Sequence, residues 1–205
     1  MKTFILAALL LFSASAASFA QAKKVTPFRI REGSKLTYHV EAGGNEYDFI
    51  VTVKKLGAEV VFGYEMTSPA DKTGSITIGA EAMKSATAWY NYFSGGAKKL
   101  SDETSVFVSK GLYKDILSKP TVSIRTGGAD SEPEAFTKLS GMESASNGST
   151  YLKMIKEIKG KPYSLDGPIL ENADGSHAIR IQQTDYFPVI TYMQLNFKIY
   201  LTGIE

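Results

Sequence analysis

Two histidines and a few carboxylates are the residues of this 205-residue chain whose types and spacing suit acid–base or metal chemistry. His39 and Glu41 alternate along one segment, and Glu46 and Asp48 alternate along the next, so all four point to one face of a predicted hairpin. A histidine among three carboxylates has the groups for a divalent metal site or a general base. The same alternation assigns this face to solvent, where His39 and Asp48 would form a cross-strand ion pair. We therefore predict neither a metal site nor a catalytic residue here.

Other signs of catalysis are weak. His177 follows the Asp174-Gly175 turn, and we interpret it as a strand residue beside a turn rather than a ligand. Carboxylates in predicted loops have the group type that a glycosidase uses, but such loops are acidic for solubility more often. The chain has no nucleophile elbow, phosphate-binding loop, zinc-protease motif or dinucleotide fingerprint. It also has no cysteine, which excludes thiol chemistry and disulfides. The sequence predicts no cofactor, and a hydrolase is the least supported of three functional classes.

The first 22 residues have the pattern of a secretory signal peptide. Lys2 precedes an apolar run over residues 4–12, and two small-x-small cleavage sites follow at residues 18–20 and 20–22. The run is too short for a membrane span, and no later stretch approaches one. We predict a cleaved signal peptide over residues 1–22, no transmembrane segment, and a periplasmic or secreted location. Basic and acidic residues almost balance, at 23 and 21, so charge predicts no nucleic-acid partner.

Alternation of period two marks the start of the remaining chain as a β-hairpin. With Gly43-Gly44 as its two-residue loop, Tyr38 lies opposite Phe49 and the apolar faces of both strands coincide. A loop at Gly44-Asn45 keeps the same faces, so the sequence leaves this choice open. Further strands are predicted over residues 60–66, 75–78, 105–108, 121–125, 134–139, 151–158, 169–173 and 177–182. Residues 151–158 also suit a short helix, and the strand is the preferred interpretation.

The end of the chain shows the longest alternation. Every second residue from Val189 to Leu201 shares one face, and all of these are apolar except Thr191, which predicts one long, curved final strand. A large antiparallel sheet rolled into a half-barrel or barrel of about 9–11 strands would accommodate such a strand. The predicted fold class is mainly β with minor α, in a single antiparallel β domain over residues 23–205.

The pattern changes to a helical period between residues 81 and 93. Met83, Ala86, Trp89 and Phe93 fall within one sector of a helix, and Gly95-Gly96 offers a stop signal. We predict one amphipathic helix over residues 81–93, packed on the concave face of the sheet. A second, weaker helix is indicated over residues 110–118.

Large apolar and aromatic side chains crowd the predicted concave face. They would line a ligand cavity if space remains under the helix, or form a packed core if none remains. Tyrosine on an inner face slightly favours the cavity, because each hydroxyl needs a partner or water. The candidate ligand-binding residues are Tyr38, Phe49, Phe62, Tyr64, Met83, Trp89, Tyr90, Phe93 and Phe197.

Two stretches of the sequence are informative when taken together, namely residues 100–110, LSDETSVFVSK, and residues 174–204, which include Asp174-Gly175-Ser176-His177 and Phe187-Pro188-Val189-Ile190. They resemble an exported bacterial family of uncharacterised β-sheet proteins. A strand, a short turn ending in Pro188 and a long final strand also resemble the periplasmic lipoprotein-carrier half-barrel, although a tryptophan often seen in the penultimate strand of that fold is absent.

The carrier resemblance implies an antiparallel sheet around an apolar concave face, with helices as a lid. It transfers no site residue, since folds do not fix functions. We expect an exported, soluble carrier in the cell envelope whose partner is an apolar small molecule, a lipid or an acylated protein. The alternative is an envelope protein with a filled core that acts through protein–protein contacts.

Overall fold

A large, curved antiparallel sheet dominates the described part of the chain, which in this computed structural model comprises residues 26–67, 72–139, 154–165 and 167–205. Two short helices accompany it, α1 (Ala80–Ser85) and α2 (Lys110–Ser118). The strands in chain order are β1 (Lys35–Ala42), β2 (Asn45–Leu56), β3 (Val60–Met66), β4 (Thr73–Ile78), β5 (Ala88–Trp89), β6 (Gly96–Leu100), β7 (Glu103–Thr104), β8 (Thr121–Ile124), β9 (Glu134–Lys138), β10 (Met154–Ile158), β11 (Lys161–Leu165), β12 (Ile169–Glu171), β13 (Ala178–Gln182), β14 (Val189–Gln194) and β15 (Phe197–Ile204).

The main sheet of the described residues contains eleven strands in the order β6-β4-β3-β2-β1-β15-β14-β13-β12-β9-β8. Its neighbours are antiparallel except β4 and β6, which run parallel because α1 carries the chain back between them. The sheet does not close into a barrel. The predicted fold class, mainly β with minor α, is confirmed. Neither helix in the described ranges has the length and apolar character that a bilayer span requires.

The first hairpin has the register of one of the two predicted loops. Tyr38 lies opposite Phe49 and His39 opposite Asp48, while Ala42 pairs with Asn45. The loop is therefore Gly43-Gly44, the first of the two alternatives. Both glycines have positive φ, at 58° and 80°, which a two-residue hairpin turn of this hand requires and side chains disfavour.

The predicted long final strand is wrong, because it is a hairpin of β14 and β15. Gln194 pairs with Lys198 and Met193 with Ile199, and the turn lies between them at Leu195-Asn196. In this register odd-numbered residues face odd-numbered residues. The apolar set therefore stays on one side through the turn, and alternation alone gives no sign that the chain reverses.

The predicted helix over residues 81–93 is also wrong in extent, since α1 covers only Ala80–Ser85. The buried Ser109 donates its hydroxyl to the Ala86 carbonyl at 2.7 Å, and it caps α2 by accepting from the Leu112 amide. Beyond Ala86 the chain is extended, and α2 begins where the sequence indicated a second helix. We call residues 88–93 the covering segment.

Smaller differences concern strand positions. Residues 105–108 form no strand and contribute only an isolated bridge between Phe107 and Val189, whereas β6 and β11 were not predicted. The proposed signal peptide, residues 1–22, and residues 151–153 of one predicted strand lie outside the described residues.

The apolar side chains on the inner side of the sheet form two clusters. The first lies over β1–β4 and includes Tyr38, Phe49 and Tyr90. The second lies over β8, β9, β12 and β13 and includes Trp89 and Met193. Trp89 and Tyr90 are neighbours in the chain yet belong to different clusters, so the covering segment runs along the boundary between them.

Candidate ligand cavity

A cavity of about 200 Å³ lies between the middle of the sheet and the covering segment. Its walls come from β1, β2, the end of β3, β14 and β15 on one side, and from the covering segment with Ser105 and Val106 on the other. Six predicted ligand-binding residues line it: Tyr38, Phe49, Trp89, Tyr90, Phe93 and Phe197. The sequence did not single out the other ten, which are Val40, Ala42, Tyr47, Met66, Asn91, Ser105, Val106, Ile190, Met193 and Ile199.

The cavity has a buried part and a part that reaches the surface. Tyr38 and Trp89 are each only 1% exposed, whereas Tyr47, Phe93 and Phe197 are half-buried. The cavity therefore reaches solvent on the side of these three aromatic residues. Burial also raises the pKa of the Tyr47 phenol.

Hydrogen bonds to two neighbouring segments hold the covering segment extended. The Trp89 amide donates to the Arg125 carbonyl at 2.8 Å, and the Tyr90 amide donates to the Thr104 carbonyl at 2.7 Å. On the Thr104 side, the Ser105 hydroxyl donates to the Tyr90 carbonyl at 2.9 Å. The backbone hydrogen bonds of the segment go to neighbouring segments rather than to residues four positions away. The segment is therefore strand-like and has buried side chains on both faces.

An aromatic cluster fixes the far end of the covering segment. The Phe93 ring lies 4.4 Å from the Phe49 ring and 5.0 Å from the Tyr64 ring, measured between centroids. The Tyr64 hydroxyl accepts a hydrogen bond from the Gly95 amide at 2.9 Å. Tyr64 therefore lies behind the cavity wall and positions Phe93, but does not line the cavity itself.

The two remaining predicted residues lie farther away. Phe62 is buried in the first cluster, where its ring lies 6.1 Å from that of Phe107. Met83 is buried in the same cluster from α1. The predicted helical lid is therefore replaced by the extended covering segment, which brings Trp89, Tyr90 and Phe93 to the cavity but leaves Met83 in the core.

Polar atoms in the cavity wall fall into two groups. The Tyr38 hydroxyl donates to the Ile190 carbonyl at 2.9 Å, and burial raises the pKa of this phenol far above its ordinary value, so it stays neutral. Ser105 is also bonded. By contrast, Trp89 Nε1 and Asn91 Oδ1 are buried and have no hydrogen-bond partner among the described residues.

The His39 face points away from the cavity, to the other side of the sheet. His39 Nδ1 lies 3.4 Å from Asp48 Oδ1, and His39 Nε2 lies 3.7 Å from Glu46 Oε2. Lys198 from β15 adds a cation, since its Nζ donates to Glu41 at 3.1 Å, and this hydrogen bond raises the pKa of Lys198. The described ranges hold no group of three or more histidine and carboxylate side chains arranged to bind a metal ion.

His177 is held by a carboxylate. Its Nδ1 lies 2.8 Å from Glu134 Oε2, and its backbone amide donates to Asn172. The ring therefore joins the β12–β13 turn to β9 at the edge of the sheet. His177 therefore lies beside the turn, as predicted, but it comes one residue before β13 rather than within the strand.

Comparison of the chain with protein-family models, with curated proteins and with solved structures found no match. The resemblance to a lipoprotein carrier thus stays an expectation from sequence.

Proposed function

We propose that this protein binds an apolar ligand in the cavity beneath the covering segment, and that it does so as an exported protein of the cell envelope. The observation that carries the proposal is the cavity itself, a concave space with mainly aromatic and aliphatic walls. Small-molecule sites are typically concave and mostly apolar, with a few placed polar groups. The alternative is a protein with a filled core that acts through protein–protein contacts, and such a protein is not expected to contain this space.

The volume limits the ligand. An engineered apolar cavity of about 150 Å³ is known to take up benzene. A space of about 200 Å³ therefore suits one aromatic ring or the end of a short acyl chain. A longer chain would extend past Tyr47 and Phe197, at the surface end of the cavity. This geometry suits an acylated partner of which only the chain end is enclosed.

The experiment uses the fluorescence of Trp89, which is the single tryptophan of the chain and lies in the cavity wall. Toluene and a short-chain acyl peptide are titrated into the purified protein, and a saturable change in emission is expected. Val40→Phe fills the cavity from β1 and should abolish this change. Val61→Phe is the matched control, because Val61 is half-buried on β3 and does not line the cavity.

Two results would contradict the proposal. One is the absence of saturable change with both probes in the native protein. The other is a change that persists equally in Val40→Phe and Val61→Phe, which would place binding elsewhere. The first result would leave protein–protein contacts as the better explanation, and the second would show that this cavity is not the binding site.

A further inference from the structure

We infer that a groove along α2 binds an acidic peptide segment of a partner protein, in which carboxylates stand next to a large apolar side chain. The groove has a volume of about 490 Å³ and lies between α2 and the loop of residues 183–188. We call it the α2 groove. It shares no lining residue with the cavity beneath the covering segment. The inference therefore goes beyond the proposed function and does not depend on it.

One wall of the groove is the exposed face of α2. The other face of this helix packs into the core through Leu112 and Ile116, which are buried in the second cluster. Residues three and four positions apart lie on the same side of a helix. The residues of α2 at this spacing that line the groove are Lys110, Tyr113, Lys114 and Leu117.

Large apolar side chains in the groove are exposed to solvent. Leu117 is 45% exposed, and Tyr186 on the loop wall is 52% exposed. The third exposed large apolar side chain of the described residues is Tyr92, on the covering segment. Single exposed apolar side chains are ordinary, but two that line one concave surface form a patch of the kind that marks an interaction site.

The charge of the groove indicates the chemistry of the partner. Lys110 and Lys114 both line it, and neither forms an ion pair with a carboxylate in the described ranges. By contrast, Lys119 at the end of the helix pairs with Asp115 at 2.9 Å. Asp185 in the facing loop is exposed but does not line the groove. Two cations without a carboxylate among the described lining residues favour a partner that carries negative charge.

Hydrogen bonds hold the loop wall in place before a partner binds. The Thr184 hydroxyl donates to the Phe187 carbonyl at 2.7 Å and accepts from the Tyr186 amide at 3.3 Å. The Pro188 carbonyl accepts from the Val108 amide at 2.8 Å, which ties the loop to the residues just before α2. Because both walls are formed in the free protein, little conformational entropy is lost on binding.

The length of the groove suits a short peptide segment. The nine residues of α2 span about 13 Å, which is also the length of about four extended residues. Carboxylates would lie against Lys110 and Lys114, and an apolar side chain would lie between Leu117 and Tyr186. Anionic membranes and nucleic acids fit less well, because their recognition typically uses about four or more clustered cations.

The first test uses the native protein and the capped peptide Gly-Glu-Glu-Phe-Leu-Gly. Saturable shifts are expected in ¹H–¹⁵N spectra for the amides of α2 and of residues 183–188. The affinity should fall at high salt, because salt screens exposed charges. Gly-Lys-Lys-Phe-Leu-Gly reverses the charge and Gly-Glu-Glu-Ser-Ser-Gly removes the apolar side chains, and each should bind about fivefold more weakly or worse.

The second test changes the groove. Lys114→Glu should weaken binding of the acidic peptide about fivefold, since it replaces an attraction with a repulsion. Lys99→Glu is the matched control, because Lys99 is an exposed residue of β6 outside the groove and its reversal changes the net charge equally. Val40→Phe, which fills the cavity, should bind the peptide as the native protein does.

Four results would overturn the inference. They are the absence of saturable shifts with the acidic peptide, and equal binding of the basic peptide. They are also self-association that Lys114→Glu abolishes, which would assign the groove to a second copy, and binding to phosphatidylserine vesicles that Lys114→Glu abolishes, which would assign it to a membrane surface. The peptide and salt comparisons on the native protein decide the matter even if Lys114→Glu folds poorly. None of these results bears on the cavity, so the proposed function fails or stands separately.

Discussion

The hydroxyl of Tyr38 donates a hydrogen bond to the carbonyl oxygen of Ile190 at 2.9 Å, although their strands are not neighbours in the sheet. Tyr38 belongs to β1 and Ile190 to β14, and β15 pairs with both strands. The bond therefore spans a strand on the inner side of the sheet. Both residues line the cavity, so this contact sets the spacing of its two strand walls.

Tyr38→Phe should lower the free energy of unfolding by about 1–3 kcal/mol, because it deprives a buried carbonyl of a partner. Urea unfolding followed by far-UV circular dichroism measures the loss. Tyr186→Phe is the matched control, since Tyr186 is 52% exposed and its change should be close to zero. Equal losses in the two variants would show that the Tyr38 bond adds nothing.

The same phenol predicts a dependence on alkaline pH. Burial raises the pKa of Tyr38 in the folded state, whereas in the unfolded chain it titrates near about 10. The folded state therefore retains the proton. The contribution of the Tyr38 phenol to the free energy of unfolding is complete below pH ~10 and is lost as pH rises above it. Urea midpoints between pH 8 and 11 should fall more steeply for the native protein than for Tyr38→Phe. Parallel curves would refute this prediction.

Gly74→Ala should be strongly destabilising, because β4 approaches β6 and Tyr64 too closely for a side chain. A Cβ at this position would lie 2.3 Å from the Gly96 carbonyl oxygen and 2.5 Å from the Tyr64 hydroxyl. Overpacking of this kind costs about 1–3 kcal/mol, measurable by urea unfolding. At Gly57 the nearest atom would be 3.9 Å away, so Gly57→Ala provides the control. A similar small effect at both glycines would contradict the predicted clash.

The outer face around His39 should hold no metal stoichiometrically. Lys198 already pairs with Glu41, and the Glu46 and Asp48 side chains are 74% and 47% exposed, so solvent rather than the protein surrounds these carboxylates. Elemental analysis of untagged protein purified without chelator is the measurement. A bound divalent ion that disappears in His39→Ala would overturn the prediction.

The mature chain should begin at Gln21 or Lys23, as the two small-x-small sites predict. The intact mass of the protein recovered from a secreting host decides between them. A mass that still includes residues 1–20 would be incompatible with cleavage and would remove the main support for export.

The sequence predicted which side chains share a face more successfully than it predicted the path of the chain. That Tyr38 and Phe49 share the buried face followed from alternation and a glycine turn, because only one parity buries the apolar side chains. Their direct pairing did not follow, since a loop at Gly44-Asn45 keeps the same faces. The β14–β15 turn was missed for the same reason, since pairing Gln194 with Lys198 preserves parity.

The covering segment shows a second limit. Trp89 and Tyr90 are consecutive and both buried, which in a sequence imitates the apolar sector of a helix. Both residues are buried because of tertiary packing, since an extended segment between two clusters buries both of its faces. Asn91 lay outside the apolar sector of the predicted helix, so its place in the cavity wall could not be predicted without the bonds that Arg125 and Thr126 make.

The pairing of β1 with β15 has a consequence for how the protein reaches its native state. Thr37 and Thr202 lie 165 positions apart in sequence, yet their strands are neighbours at the middle of the sheet. Closing so large a loop costs chain entropy before any contact repays it, so folding is expected to be slow for a chain of this size. Until β15 docks, β1 and β15 are both open edges with apolar faces, and these edges are where newly forming molecules would associate wrongly with one another.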